Sequence, residues 1–343
     1  MDRVKPILFY SENRIKNLID TNEMFILLAI NFVFIESDIY FMKKIIIGIV
    51  IVIVLVAIGW YCRFILGLAS QIATPEVSTL DNEISWEKEH GFWGNYDSYE
   101  KDEYTVKGYK DYELHVTLVK NPVETDKYVI ISHGFKSNRY GAVKYVDTYM
   151  NLGFNCIIYD LRDHGENAKA TLSLGQFESE DLYKLIEDTY NRYGNIKLGL
   201  HGESMGAATS LMVLAKKPNV DFVVADCGFS NLYDLLHAAY DVAKVGAVLP
   251  SVNIAMKLRY GYDMKKTSPR DALIGNEVPV CFIHGEADTF ILPENSEINK
   301  AATAGYSELH VVPDAAHARS REVLGEAEYR SIISNFLDNI DFN

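Results

Sequence analysis

The sequence predicts an α/β fold, in which a mostly parallel central sheet is flanked by helices, preceded by an N-terminal transmembrane helix. From about residue 80 onward, short β-rich apolar runs alternate with longer amphipathic segments, which is typical of a parallel sheet covered by helices. One uninterrupted apolar run precedes this region at residues 45–61. The 343 residues allow one large domain plus N-terminal material, because a single core can grow to roughly 250–300 residues.

Composition and charge exclude several classes of protein. Hydrophobic residues make up 48% and charged residues 23% of the chain, as in ordinary globular proteins. The net charge of −14 and the lack of a basic stripe argue against a nucleic-acid partner. The cysteines have neither C-x-x-C nor zinc spacing, so we predict small buried hydrophobes rather than a disulfide framework or a metal site; they are Cys62, Cys156, Cys227 and Cys281.

The apolar run at residues 45–61 predicts a membrane anchor over residues 42–70. Its 17 residues span about 25 Å as a helix, and the apolar residues after Arg63 complete the distance across a bilayer. Lys43 and Lys44 directly precede the run. By the positive-inside rule this end is cytoplasmic, so we expect a single-pass protein of the cell membrane with everything after residue 70 on the extracytoplasmic side.

Two points about the N-terminus stay open at this stage. A cleaved signal peptide has the same basic start, although its apolar core is usually only about 7–15 residues long and ends at an A-x-A pattern, which is not found here. Met42 begins what resembles a complete export signal. We therefore expect residues 1–41 to be a non-native or disordered extension, a hypothesis that any native peptide from this segment would contradict.

The individual elements of the catalytic domain, residues 80–343, follow from local patterns. Alternating apolar and polar residues at 102–119 predict an opening hairpin. Buried strands are predicted at 128–132, 155–160, 196–200, 222–226, 278–284 and 309–312. Helices are predicted at 138–150, 177–193, 205–215, 293–302 and 321–340. Since a parallel sheet binds ligands at the carboxyl ends of its strands, functional residues are expected just after the strands.

A nucleophile motif directly follows the strand at 196–200. Gly202-x-Ser204-x-Gly206 lies between this strand and a helix, where a strained turn exposes the serine oxygen at a helix N-terminus. Glycines on both sides avoid steric clashes in such a turn. Ser204 is therefore the predicted nucleophile.

A nucleophilic serine needs a general base and an acid that orients the base. Asp288 follows the strand at 278–284, and His317 follows the strand at 309–312, in the chain order Ser, Asp, His. Glu286 and Asp314 are the nearest rivals for the acid. We predict a Ser204–His317–Asp288 triad.

The oxyanion that develops during acyl transfer needs two preorganised donors. One is expected from the backbone N–H of Met205, the residue after the nucleophile. The other is expected from the N–H of Phe135, because His133-Gly134-Phe135 follows the strand at 128–132 and Gly134 allows close approach of the chain.

Together these motifs resemble those of the α/β-hydrolase superfamily, most closely its bacterial serine aminopeptidase-like and lysophospholipase-like branch. The resemblance covers residues 80–343 and implies the α/β-hydrolase fold with a small helical cap at about residues 229–266. It departs from the usual D-x-R-G-H-G-x-S at Asp163 and Asn167. The motifs that carry it are His133-Gly134-Phe135, residues 160–165, the Ser204 motif, His284-Gly285-x-x-Asp288 and His317.

In this fold the cap covers the active site, so Phe229, Leu232, Tyr233 and Leu236 are candidates to line a substrate pocket. Packing of helices on the sheet explains each of these residues equally well. The same ambiguity applies to Met256, Tyr260 and Tyr262.

The sequence thus predicts a serine hydrolase that cleaves carboxylic ester or thioester bonds of small to medium acyl substrates through an acyl-enzyme, without metal or organic cofactor. A serine aminopeptidase-like peptidase is the alternative enzyme, but it needs an acidic clamp for a substrate amine that the sequence does not locate. A catalytically silent, membrane-tethered binding module is the third hypothesis. The expected partners are a small-molecule acyl ester and the membrane; no oligomeric state is predicted.

Overall fold

The computed structural model describes residues 5–244 and 246–342, and the side chains within them from residue 23 onward. The chain divides into two compact units, Met1–Phe64 and Ile65–Asn343. The described part of the first unit, from Lys5 onward, is helical, and the second unit carries the sheet and the predicted site.

Helix α1 extends over Lys5–Ala73. Within it, Glu23–Ala73 is long and apolar enough to cross a membrane by length and composition, with a mean hydropathy of 3.0 in its most apolar window. A signal sequence passes the same test. Residues 5–41 are helical, and residues 1–4 lie outside the described residues. Whether residues 1–41 belong to the native protein stays a prediction.

The second unit is built around one eight-stranded sheet with the order β1-β2-β4-β3-β5-β6-β7-β8. The first two strands form the predicted hairpin, which joins the sheet antiparallel through β2 and β4. All later neighbours are parallel. The strands are β1 Lys101–Lys107, β2 Glu113–Val119, β3 Lys127–Ser132, β4 Asn155–Tyr159, β5 Lys197–Glu203, β6 Phe222–Asp226, β7 Val280–Gly285 and β8 Ser307–Val312.

Helices cover both faces of this sheet, which confirms the predicted α/β class. One core cluster packs α4 and α5 on one face, and a second packs α3 and α11 on the other. The helices after α1 are α2 Leu80–Glu89, α3 Val146–Asn151, α4 Gln176–Tyr193, α5 Met205–Met212, α6 Leu232–Val242, α7 Leu249–Ala255, α8 Pro269–Ala272, α9 Glu294–Ala302, α10 Ser320–Leu324 and α11 Glu326–Asn339.

Three predicted helices are not continuous α-helices in the structure, and one of them, predicted at 205–215, ends as α5 at Met212 and continues as a 3₁₀-helix, Val213–Lys216. The segment predicted at 138–150 begins as a 3₁₀-helix, Arg139–Tyr145, before α3. The segment predicted at 321–340 divides into α10 and α11 at Gly325, whose φ of +77° ends a helix and is readily adopted only by glycine. Amphipathic periodicity continues across such breaks, which is why it did not reveal them.

The predicted cap is a set of short helices, α6 to α8, between β6 and β7. Its apolar residues form a third core cluster with Ile65, Ala69 and Ala73 at the end of α1. These three residues at the end of α1 therefore pack against the cap.

The strand order places the predicted site at one crevice. After β3 the chain adds β4 on one side and β5 on the other, so β3 and β5 flank the topological switch point, where open α/β sheets bind ligands. Gly134 follows the end of β3, and Ser204 follows the end of β5.

Candidate active site

The turn between β5 and α5 holds Ser204 in a strained conformation. Ser204 has φ +56° and ψ −114°, a region that non-glycine residues rarely adopt. A Cβ atom at Gly202 would lie under 3.0 Å from the Gly206 carbonyl, and one at Gly206 would lie under 3.0 Å from that of Ser132. Both glycines of the motif are therefore needed for the chain to make this turn.

The structure brings the three predicted triad residues into one hydrogen-bonded chain. The Nε2 atom of His317 lies 2.9 Å from Ser204 Oγ, and its Nδ1 atom lies 2.7 Å from Asp288 Oδ2. In the tautomer that satisfies both contacts, Nδ1–H donates to the carboxylate and Nε2 accepts from the serine hydroxyl. This arrangement can move a proton from Ser204 to His317.

Asp288 is held as a carboxylate by its neighbours. Burial acts to raise the pKa of its carboxyl group, but hydrogen bonds from His284 and His317 outweigh burial and hold the pKa well below its usual range. The backbone N–H groups of Phe290 and Ile291 both donate to Oδ1 at 2.9 Å, which further stabilises the anion. The rivals Glu286 and Asp314 are exposed, and neither contacts His317 among the described contacts.

The loop that carries Phe135 is fixed by two neutral histidines. Burial lowers the pKa of His133 to about 4, so its ring can accept from Leu161 N–H at 3.0 Å while its Nδ1–H donates to the Gly134 carbonyl at 2.8 Å. Burial likewise lowers the pKa of His164 to about 3, and its Nε2 accepts from Lys136 N–H at 3.2 Å. These bonds hold the main chain on both sides of Phe135.

The two expected oxyanion donors lie near the nucleophile. Met205 is the first residue of α5, so its N–H has no carbonyl four residues earlier within the helix. Phe135 and Ser204 line the same cavity. A Cβ atom at Gly134 would lie 3.7 Å from Ser204 Cβ, which shows how closely this loop approaches the serine. The assignment of Phe135 and Met205 as oxyanion donors stays a prediction.

A cavity of about 490 Å³ opens beside Ser204 and His317. Apolar surface comes from Trp86, Phe135 and Phe290, and the last ring packs edge-on against His317 with centroids 5.1 Å apart. Polar residues dominate the rest of the wall: Ser78, Asn82, Glu83, Glu87, Lys136, Ser137, Lys144, Glu203 and Arg319.

The predicted pocket residues do not line this cavity, so that interpretation is wrong for the space at Ser204. Phe229 and Leu232 are buried in the cluster that joins the cap to the end of α1, and Tyr233 and Leu236 pack against the same cluster. Helix α2 forms the cavity wall instead. All four pack in the core, but against the cap and the end of α1 rather than on the sheet as the alternative explanation had it, and Met256 and Tyr262 are buried in the same cluster.

Sequence reasoning missed the carboxylates of the cavity. Glu83 and Glu87 lie four residues apart on α2, so they share one helix face, and Glu203 directly precedes the nucleophile. The four-residue spacing was visible in the sequence. The resemblance places substrate contacts in the cap, so α2 was not predicted to contribute to the site.

Among the described residues, two groups of side chains have a spacing that a metal ion requires: Cys227 with Asp288 and His317, and Cys281 with Glu308 and His310. Burial raises the pKa of both thiols far above the ordinary range, whereas a metal binds the thiolate. Asp288 and His317 are already bonded to each other. Neither group therefore presents a ready set of ligands.

Comparison with known proteins agrees with the fold. The family model described as "Serine aminopeptidase, S33" matches residues 123–230. A relative from Bacillus subtilis strain 168, with the name uncharacterized protein YqkD, is 34% identical over 245 residues, which are 69% of this chain and 77% of that protein. The chain belongs to the α/β-hydrolase superfamily.

Solved structures of other α/β-hydrolases share the architecture. The esterase Pf2001 of Pyrococcus furiosus aligns with a TM-score of 0.60 at 22% identity, over 78% of this chain and 97% of that one. Acetyl xylan esterase 1 from Thermoanaerobacterium sp. JW/SL YS485 aligns with a TM-score of 0.51 at 15% identity, over 78% of this chain and 98% of that one. At these identities the likeness concerns the fold alone.

Proposed function

We propose that this α/β-hydrolase cleaves carboxylic ester or thioester bonds through an acyl-enzyme on Ser204. The observation that carries the proposal is the pair of hydrogen bonds made by His317, at 2.9 Å to Ser204 and 2.7 Å to Asp288. A serine alone is a weak nucleophile, and an oriented base activates it.

In the first half-reaction, Ser204 Oγ attacks the carbonyl carbon while its proton moves to His317 Nε2. The Asp288 carboxylate stabilises the imidazolium that forms and fixes the ring orientation. The N–H groups of Phe135 and Met205 donate to the oxyanion. When the intermediate collapses, the bond to the alcohol or thiol breaks and His317 returns the proton to the leaving group, which leaves an acyl ester on Ser204.

In the second half-reaction, water takes the place of the alcohol. His317 accepts a proton from the attacking water, the tetrahedral intermediate forms again, and its collapse releases the carboxylic acid. Ser204 recovers its proton from His317, so that the enzyme returns to its starting state. No metal or organic cofactor takes part in these steps.

The volume and the aromatic rings of the cavity support small to medium acyl esters as the proposed substrates. Its volume of about 490 Å³ lies in the range of small-molecule sites, and the rings of Phe135 and Phe290 offer apolar surface to an acyl chain. Each buried methylene is worth about 0.8 kcal/mol, so kcat/KM on p-nitrophenyl esters is expected to rise by up to about fourfold per methylene until the cavity is filled, and then to fall.

The test assays a panel of p-nitrophenyl esters, from acetate to dodecanoate, alongside aminoacyl p-nitroanilides of matched size. We expect the best ester to exceed every anilide, since an amide is the harder acyl target. Turnover of an anilide at or above the best ester would contradict ester specificity and favour the aminopeptidase. That second candidate gains support from Glu83 and Glu87 at the cavity, whereas the cap residues Asp234 and Asp241 pair with Arg270 and His237.

We further propose that α1 anchors the protein in the cell membrane with the catalytic unit on the extracytoplasmic side. Lys43 and Lys44 before the most apolar part of the helix support this orientation. Protease added to intact protoplasts is expected to digest the catalytic unit, while a cytoplasmic marker protein remains intact. Protection of the unit until lysis would overturn the orientation.

A further inference from the structure

We propose that helix α2 forms a subsite for a protonated primary amine, so that the preferred substrates are esters bearing an ammonium group. The inference rests on the proposed function for its reaction and adds the substrate class. Glu83 and Glu87 supply the subsite, at the wall of the cavity that contains Ser204.

The first reason is the environment of the Glu87 side chain. Its side chain lines the cavity although only 1% of the residue is exposed, and its Oε2 atom has no hydrogen-bond partner. A buried carboxylate oxygen without a partner is costly. A ligand that donates hydrogen bonds would remove that cost.

The second reason is the pattern of ion pairs among the charged side chains that line the cavity. Lys144 forms an ion pair with Glu203, which also accepts from Tyr145 O–H at 2.5 Å, and Arg319 forms an ion pair with Glu322. Among the described side chains, no Lys, Arg or His lies within 4.0 Å of the Glu83 or Glu87 carboxylate. Glu83 and Glu87 therefore form no direct ion pair among the described side chains, although Lys144 and Arg321 act electrostatically on Glu87 from a greater distance.

The position of the Glu83 carboxylate is fixed by its neighbours. Its Oε1 accepts a hydrogen bond from Ser137 O–H, and a Cβ atom at Gly141 would lie 2.7 Å from that oxygen, so the carboxylate fits because residue 141 is glycine. One ammonium group with three N–H donors can bond to both carboxylates at once.

The protonation of Glu87 gives the subsite a pH dependence. Burial raises its pKa to about 8; Glu203 and Glu83 act in the same direction, while Lys144 and Arg321 oppose it. An ammonium group binds the carboxylate form, so its binding must release the Glu87 proton. Affinity for the cation therefore increases as the pH rises through about 8, whereas a neutral ester gains nothing from this ionisation.

The test uses the full chain in detergent and two matched ester pairs. One pair carries the amine on the acyl side, p-nitrophenyl ε-aminohexanoate and its N-acetyl derivative; the other carries it on the leaving group, tyramine acetate and N-acetyltyramine acetate. In at least one pair we expect the ammonium ester to be favoured about tenfold in kcat/KM near pH 9, and less near pH 7. The pair that shows the preference locates the amine.

Variants assign this preference to α2. Glu87→Gln keeps the shape of the protonated side chain but cannot ionise, so it is expected to reduce the preference and abolish its rise with pH. Glu83→Gln is expected to reduce the preference. Glu89→Gln, on the exposed side of the same helix, is the matched control and retains it. Equal rates within both pairs at every pH, or a preference unchanged in Glu87→Gln, would overturn the subsite.

A binding experiment tests the amine subsite independently of the proposed hydrolysis reaction. The thermal unfolding midpoint is measured with n-butylammonium chloride and with n-butanol. Stabilisation by the ammonium alone, lost in Glu87→Gln, supports the subsite even if no ester is hydrolysed. Ester hydrolysis without any ammonium preference or stabilisation contradicts the subsite and leaves the reaction intact.

Discussion

Replacing Ser204 by alanine is expected to lower kcat/KM on the best p-nitrophenyl ester by about four to six orders of magnitude. The Oγ atom removed is the one that lies 2.9 Å from His317 Nε2, so no acyl-enzyme can form. His317→Ala should cause a loss of similar size, because the serine then lacks its base. The double variant should be little worse than either single variant, since triad members act as a unit.

Folding must be shown to be intact in these variants. Ser204 and its alanine variant differ by one oxygen atom, and a thermal midpoint close to that of the parent is expected. Ser210 is a fitting control, because it lies on α5, is fully buried like much of that helix and has no contact with His317 among the described hydrogen bonds. Activity of Ser204→Ala near the parent level, or an equal loss in Ser210→Ala, would contradict the assignment.

Asp288→Asn is expected to lower kcat by about three to four orders of magnitude. An amide cannot hold the negative charge opposite the imidazolium, and it can favour the tautomer of His317 that no longer accepts from the serine. The hydrogen bonds that hold the pKa of Asp288 low keep the native residue ionised throughout the working range.

The two rival acids provide matched controls for Asp288. Glu286→Gln and Asp314→Asn alter exposed carboxylates on the same two strand-end loops and should keep kcat within about twofold of the parent. If either control lost as much activity as Asp288→Asn, the acid of the triad would have to be reassigned.

The triad was predictable because strand ends and chain order constrain it. Residues that follow neighbouring parallel strands meet at one sheet edge, so Ser204, Asp288 and His317 could be placed together from the sequence. The strained φ of Ser204 likewise follows from the two glycines of its motif.

The cavity wall could not be predicted in this way. Helix α2 precedes the sheet, and its contact with the cavity depends on tertiary packing that periodicity does not encode. The cap was assigned to the pocket but belongs to the core. Its apolar residues are compatible with either role in the sequence, and in the structure they pack against Ile65, Ala69 and Ala73 of α1. An apolar pattern identifies a buried face but not the surface that buries it.

The central claim, that Ser204 is the nucleophile, is tested most directly by covalent capture. The full chain is treated with a fluorophosphonate, digested, and the modified peptide is sequenced by mass spectrometry. We expect a single phosphonyl adduct on Ser204, absent in Ser204→Ala and formed far more slowly in His317→Ala. An adduct on a different residue, or no adduct on folded protein that still hydrolyses esters, would contradict it.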